Sequence, residues 1–333
     1  MFSAAFDFYG YRILVESADE ETISNIRRDF SFFLSSTANP QLSISVYPET
    51  ADYKTLPRVR PSLHSPRNFC YRDHGLLLID YFGKALSTYD EKKREYSIYC
   101  EDAHVRHEVV FLTILSAVGK NLDQRHLHRV HGLALKIYGQ SILVLLPQGG
   151  GKTTLLLDLL KENDVHLLSE DTPILDTQGY MLPFPIRIGI DAGKKPDFPG
   201  QHLRFINRME FGPKYLLDVD YFKGRVVTGR CKPSFIFRGV RCLGVGADIL
   251  PASRLSTLKT FIENSVIGLG VYQGIEFLLQ HNALELFKKS GIAASRLRNS
   301  LAAISNAQTF DFFTGCDIEK NSRAILEFLK KNC

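Results

Sequence analysis

Ser141-Ile-Leu-Val-Leu-Leu-Pro-Gln-Gly-Gly-Gly-Lys-Thr-Thr-Leu-Leu-Leu-Asp-Leu-Leu160 reads as a buried strand, a glycine loop and a helix in immediate succession. Ile142 to Leu146 is a continuous apolar run, as expected of a strand covered on both faces, and Pro147 ends it. Gly149, Gly150 and Gly151 let the backbone take positive φ, so that successive N–H groups turn inward around an anion. In the pattern Gly-x-x-x-x-Gly-Lys-Ser/Thr, Lys152 then meets the terminal phosphates of a nucleotide and Thr153 offers a hydroxyl to Mg2+. The first turn of the helix aims its positive end at the anion. Gln148 and Thr154 complete the expected nucleotide-binding set. Leu146 stands where the first glycine of the pattern belongs, so the entry turn is expected to differ.

Working outward, His131-Gly-Leu-Ala-Leu-Lys-Ile-Tyr-Gly139 reads as a strand leading through a tight turn into the loop strand. After the loop helix, Val165-His-Leu-Leu-Ser-Glu-Asp171 is another apolar strand, ending in two acids. The interval from Lys152 to Glu170 and Asp171 leaves room for one helix and a return strand, which brings both carboxylates within reach of a metal at Thr153. Phosphoryl transfer needs an acid to hold Mg2+ and, where a hydroxyl is the acceptor, another to take its proton. Glu170 and Asp171 are expected to divide these tasks. His126 and His128 lie near His131, but their uneven spacing fits no single strand or helix face and argues against zinc.

Val130-His131-Gly132, the strand to Tyr138-Gly139, the loop Gly149-Gly150-Gly151-Lys152-Thr153 and Leu167-Leu168-Ser169-Glu170-Asp171 follow in an order that resembles the HPr kinase/phosphorylase family. The catalytic core of that family is in turn similar to phosphoenolpyruvate carboxykinase. The resemblance implies an α/β fold with a P-loop kinase core of this type. It also implies that His131 lies on the phosphate side or handles a proton, and that Glu170 and Asp171 occupy the positions of an Asp-Asp pair. Glu in place of the first Asp, Leu146 in place of the first loop glycine, and the lack of the family's arginine-glycine signature argue against HPr as the substrate and against phosphorylase activity. The chain better resembles the diverged kinases of peptide-modification gene clusters, including those acting on lasso-peptide precursors. A homo-oligomer is compatible with the resemblance.

Composition narrows the alternatives. In 333 residues, 44% hydrophobic content supports a substantial core. A net charge of +5 favours an anionic ligand but falls short of a nucleic-acid binder. The N-terminus lacks the basic region of a signal peptide and the longest apolar run, near Val109 to Gly119, is too short to span a bilayer, so no membrane span and a cytoplasmic location are expected. Cys70, Cys100, Cys231, Cys242, Cys316 and Cys333 form no C-x-x-C pair and read as reduced thiols.

The periodicity predicts a β-rich α+β domain over residues 1–124, opening β-α-β, with a Pro-, Ser- and Arg-rich loop over 48–70 and a meander of Leu76 to Phe82, Ala85 to Tyr89 and Glu95 to Cys100. A helix from His104 to Leu122 leads to the second domain, residues 125–333. There the pattern predicts a strand at Ser234 to Val240, helices at Ser253 to Glu263, Ile275 to Lys289 and Ala293 to Ile304, then a last strand and helix. Arg187, and Lys214 within the basic stretch 191–230, are further candidates for phosphate or substrate contacts. The expected function is an ATP- and Mg2+-dependent kinase acting on a peptide or protein hydroxyl. The alternatives are a P-loop switch or transport-type ATPase, against which no Leu-Ser-Gly-Gly-Gln signature appears, and a non-catalytic nucleotide-binding scaffold.

Overall fold

Alternating burial builds the first strands. In the computed structural model, which describes residues 1–36, 39–147, 149–193, 195–209, 212–266 and 283–332, strand β1 (Phe2–Phe8) buries Ala4, Phe6 and Phe8. Opposite it, β2 (Tyr11–Ser17) buries Ile13 and Val15, the period-two pattern of a sheet covered on one face. Helix α1 (Glu20–Asp29) starts at Asp19, whose carboxylate accepts from the Thr22 amide, and it buries Ile23 and Ile26. Then come β3 (Leu42–Tyr47), β4 (Pro61–His64), β5 (Phe69–Asp73), β6 (Leu76–Asp80), β7 (Leu86–Asp90), β8 (Glu95–Tyr99) and the helix α2 (Ala103–Gln124). The eight strands form one sheet in the order β1-β2-β3-β8-β7-β6-β5-β4. The expected loop over 48–70 contains β4, a mostly exposed edge strand with Pro61 at its first position, where a missing N–H costs the ladder nothing.

After α2 the chain adds β9 (His128–Arg129), β10 (Leu133–Ile137), β11 (Gln140–Leu145), α3 (Lys152–Leu159), β12 (Val165–Ser169), β13 (Ile174–Leu175) and β14 (Met181–Leu182). Next, β15 (Ile188–Asp191), β16 (Leu203–Ile206) and β17 (Lys214–Leu217) form a small sheet in the order β15-β17-β16. The final elements are β18 (Phe235–Arg241), β19 (Asp248–Pro251), α4 (Arg254–Phe261) continued by a π turn at Ile262–Val266, α5 (Ala283–Asn306), β20 (Gln308–Thr314) and α6 (Ile318–Lys331). Residues 275–282 of the expected helix Ile275 to Lys289 lie outside the described residues, but α5 shows that its last residues and the expected helix Ala293 to Ile304 are one helix.

The protein is a mixed α/β chain divided into two units: Met1–Val118 with Ile186–Tyr221, and Gly119–Pro185 with Phe222–Cys333. Where one boundary near residue 124 was expected, the chain leaves the first unit within α2 and returns to it for residues 186–221. A buried charge cluster explains the return. Asp29 is 1% exposed, and its carboxylate lies 2.9 Å from Arg187 Nη1, 2.7 Å from Arg204 Nη2 and 2.6 Å from His107 Nε2. Arg204 also meets Asp218 at 2.9 Å. Burial alone would raise the Asp29 carboxyl, but Arg187, His107 and Arg204 more than offset it and hold it well below the usual carboxylate range.

The second unit is organised on a six-stranded sheet in the order β12-β10-β11-β18-β20-β19. β10 and β11 form a hairpin, β12 runs antiparallel to β10, and β11, β18 and β20 are mutually parallel neighbours. Ala134, Leu143, Leu145 and Ile236 pack on Phe261 of α4 and on Ala303 and Ile304 of α5. From the other face, Phe235, Phe237 and Phe310 meet Phe328 of α6. The sheet is thus covered on both sides, as the continuous apolar run of β11 requires. Among the described residues, no helix is long and apolar enough to cross a membrane, and Cys70, Cys100, Cys231, Cys242 and Cys316 form no disulfide.

Candidate active site

The glycine loop leaves the sheet between β11 and α3. Leu146 is 1% exposed, and its side chain lies over Gly239 of β18, where an added Cβ would come within 2.1 Å of Leu146 Cδ2. The residue that departs from the sequence pattern is thereby a core residue, packed away from the loop interior. Gln148 lies outside the described residues. Gly149 and Gly151 take positive φ, 71° and 85°, and Gly151 serves as the N-cap of α3 with no side-chain cap. Gly150 departs from the expectation of positive φ in all three glycines. Its N–H donates to Pro147 O at 2.9 Å, and a Cβ on it would approach the same carbonyl to 2.8 Å, so close backbone packing demands the glycine.

Three segments far apart in the chain converge at the start of α3. Lys152, its first residue, is 7% exposed, and its Nζ lies 2.8 Å from His131 Nε2 and donates to Leu146 O at 3.4 Å. Asp171 Oδ1 is 3.1 Å from the same His131 nitrogen and 4.0 Å from Lys152 Nζ. Burial pulls the Lys152 ammonium below its ordinary range, with Asp171 and Glu170 opposing that shift. A single imidazole nitrogen thus stands between an ammonium and a carboxylate. Two proton placements satisfy it: Nε2 accepts from Lys152, or Nε2–H donates to Asp171.

Backbone hydrogen bonds hold this arrangement. Val130 N–H donates to Pro173 O and Gly132 N–H to Asp171 O, both at 2.9 Å, zipping the His131 segment to the acidic turn after β12. His131 N–H donates to Asn264 O in the π turn at 3.0 Å, and Thr172 N–H is capped by Ser169 Oγ at 3.2 Å. The two acids diverge. Asp171 faces His131 and Lys152, whereas Glu170 accepts a hydrogen bond from Thr153 Oγ1. Thr154 is exposed on the first turn of α3.

Arg187 and Lys214 belong to the first unit, and their charges are already matched there. Arg187 is held by Asp29, with its guanidinium 3.5 Å from the centre of the Phe111 ring. Lys214 in β17 has its Nζ 3.6 Å from the exposed Asp191. The expectation that Arg187 faces phosphates gives way to a buried structural ion pair.

Arg129 escaped the sequence reading. It pairs with Ile174 across β9 and β13, two residues before His131, and its guanidinium lies against Gly119, where a Cβ would fall 1.9 Å from Nη2. Burial lowers this guanidinium to about 10, while the nearby Asp123 and Asp171 carboxylates pull it back up. An arginine two positions before a site histidine was the available signal. Behind it, His128 Nδ1 lies 2.8 Å from Asp123 Oδ1 and its Nε2 2.8 Å from Ser295 Oγ, which also meets His126 Nδ1 at 3.0 Å. The neighbouring histidines thus serve a buried hydrogen-bond chain that ties β9 to α5.

The site offers an uncapped helix N-terminus, a buried lysine, a proton-sharing His–Asp pair and a Thr–Glu pair, a set suited to anion binding and proton transfer. No protein-family model matches the chain, and no curated protein matches it.

Proposed function

We propose that the second unit is a P-loop kinase core of the HPr kinase-related type, transferring the γ-phosphoryl group of ATP to a hydroxyl of a peptide or protein. The meeting of Lys152 Nζ, His131 Nε2 and Asp171 Oδ1 at the N-terminus of α3, beside Thr153 and Glu170, is the single observation that carries the proposal. Phosphoryl transfer depends on positioning and on charge stabilisation rather than on covalent chemistry by the protein. Lys152 would stabilise charge on the transferred group, assisted by the N–H groups at the start of α3, where the N-cap Gly151 supplies no side-chain cap. Asp171, whose side chain is 38% exposed, would take the acceptor's proton and share it with His131.

The Thr153 hydroxyl and the Glu170 carboxylate are hard oxygen donors already in contact, which suits Mg2+. Among the described residues no group of three or more His, Cys, Asp or Glu is arranged to hold a metal, so the fit is to an ion that keeps waters and phosphate oxygens as its other ligands. When bound, Mg2+ neutralises charge on the phosphate oxygens. The contacts support Glu170 as a ligand of the ion and Asp171 as the proton acceptor.

One feature favours the rival reading of a nucleotide-binding scaffold or switch ATPase. Gly150 N–H and Lys152 Nζ are engaged with loop carbonyls, so the loop is folded on itself. Mass spectrometry after incubation with Mg2+, ATP and peptides encoded beside the gene separates the two. A phosphate gained by a peptide, and lost with Lys152→Ala and with Asp171→Asn, is the expected result. ATP hydrolysis at the same rate with and without every peptide, none of them phosphorylated, would replace the kinase by the ATPase.

A further inference from the structure

The six-stranded sheet carries a second concave site at the end away from the acidic turn. Lys136 of β10 lies directly opposite His166 of β12, while Ala134 pairs with Ser169 at the end that leads into Glu170 and Asp171. Three steps along β12, roughly 10 Å, separate His166 from Ser169. Lys136 and His166 open into a cleft of about 690 Å³ whose rim includes Asp164, Thr228 and Arg230. Its apolar wall is formed by Tyr138, in the tight β10–β11 turn, together with Val226 and Val227.

The cleft has a built wall. Leu167 N–H donates to Arg225 O at 2.8 Å and Val227 N–H to Leu167 O at 2.9 Å, fixing one end of the segment on the free edge of β12. Cys231 exchanges two backbone hydrogen bonds of 2.8 Å with Met181, fixing the other end. Thr228, Gly229 and Arg230 span the gap between these anchors. Lys136 and His166 are half-buried, and among the described residues neither has an ion pair or a side-chain hydrogen bond. Arg230 shares its charge with Asp176 at 3.6 Å, and Asp164 is the one acid in the lining. With Arg230 matched by Asp176, the Lys136 side chain and the His166 imidazole stand opposite the Asp164 carboxylate. A concave site with a few convergent polar groups and an apolar wall is the usual form of a small-molecule pocket, and an unpaired ammonium inside it selects an anionic partner.

We infer that this cleft binds a small molecule with an oxyanion head, held by Lys136 and His166, and an apolar or aromatic body against Tyr138, Val226 and Val227. The inference stands independently of the kinase reading. Phenyl phosphate and benzoate, titrated separately into the isotope-labelled full chain, test it by amide chemical-shift changes. Saturable shifts at Gly139, Thr228 and Gly229, unchanged in Lys152→Ala and weakened by about tenfold in Lys136→Gln, are expected. Thr228→Trp, which fills the cleft from its exposed wall, should remove them if the fold is intact. A response to phenyl phosphate alone assigns the head as phosphate, and a response to benzoate alone assigns a carboxylate. Shifts confined to Gly149 and Gly151 and lost in Lys152→Ala would place the anion in the glycine loop and overturn the inference, as would undiminished affinity in Lys136→Gln or no saturable shift with either probe.

Discussion

Arg187 Nη1 lies 2.9 Å from Asp29 Oδ2 although 158 positions separate the two residues. The contact closes a buried cluster with His107, Arg204 and Asp218 that makes residues 186–221 part of the first unit. Removing one partner of a buried charge cluster leaves the others uncompensated, so Asp29→Asn should destabilise the first unit by about 3–5 kcal/mol. Denaturant unfolding of the variant measures the loss, and a cost below about 1 kcal/mol would show that the cluster is dispensable.

The same cluster fixes a pH response. The Asp29 carboxyl is depressed in the folded state, so its contribution is fully present above the unfolded carboxylate value of about 4 and is lost as pH falls below it. Burial also lowers the His107 imidazole against the pull of Asp29, and its contribution declines as pH falls below the unfolded histidine value of about 6.5. Thermal melts should show a two-stage loss of stability on acidification. A melting temperature flat from neutrality down to mildly acidic pH would rule out the His107 stage.

Lys152→Ala should lower phosphoryl transfer by about 10²–10³-fold, the usual cost of a lost donor aimed at developing charge. Lys152→Arg should not restore it, because the planar fork cannot replace a compact ammonium in a buried position 2.8 Å from His131 Nε2. Single-turnover rates with a phosphorylatable peptide decide the point, and full activity of the arginine variant would contradict the geometry.

Glu170→Gln and Thr153→Val should raise the Mg2+ concentration needed for half-maximal nucleotide binding, whereas Asp171→Asn should leave it nearly unchanged while stopping transfer. Fluorescent-nucleotide titrations at varied Mg2+ make the comparison. An equal change in the two acid variants would remove the division of labour drawn from the Thr153–Glu170 contact.

Leu146→Gly, which restores the glycine of the common loop pattern, should destabilise the second unit by about 2–5 kcal/mol by emptying the space over Gly239. Calorimetry of the variant would show it. An unchanged melting temperature would mean that the loop, and not the core, dictates residue 146.

Local sequence carried much of this structure. The β11, loop and α3 succession was legible because strand, glycines and helix are contiguous and each has its own period or turn chemistry. His131, Lys152 and Asp171 were named as site residues, but their convergence depends on backbone pairing between Gly132 and Asp171 that no local pattern announces. Arg129 was passed over because a lone arginine reads as a surface charge until its burial is known. Residues 186–221 were misallotted for a related reason: charges that match across 158 positions leave no periodic trace. The break expected between two late helices is absent, because α5 runs through Gly291 in one piece although glycine weakens a helix interior.

The return of residues 186–221 to the first unit bears on how the chain is made. Synthesis runs from the N-terminus, and domains ordinarily fold as they emerge. Here the partners of Asp29 include Arg204, so the ribosome has already released β9 to β14 before the first unit can neutralise its buried acid. The two units therefore mature together, and a gene fragment ending at residue 124 would encode an acid without its cations. Recombination could not move either unit to a new host protein as a single exchangeable cassette.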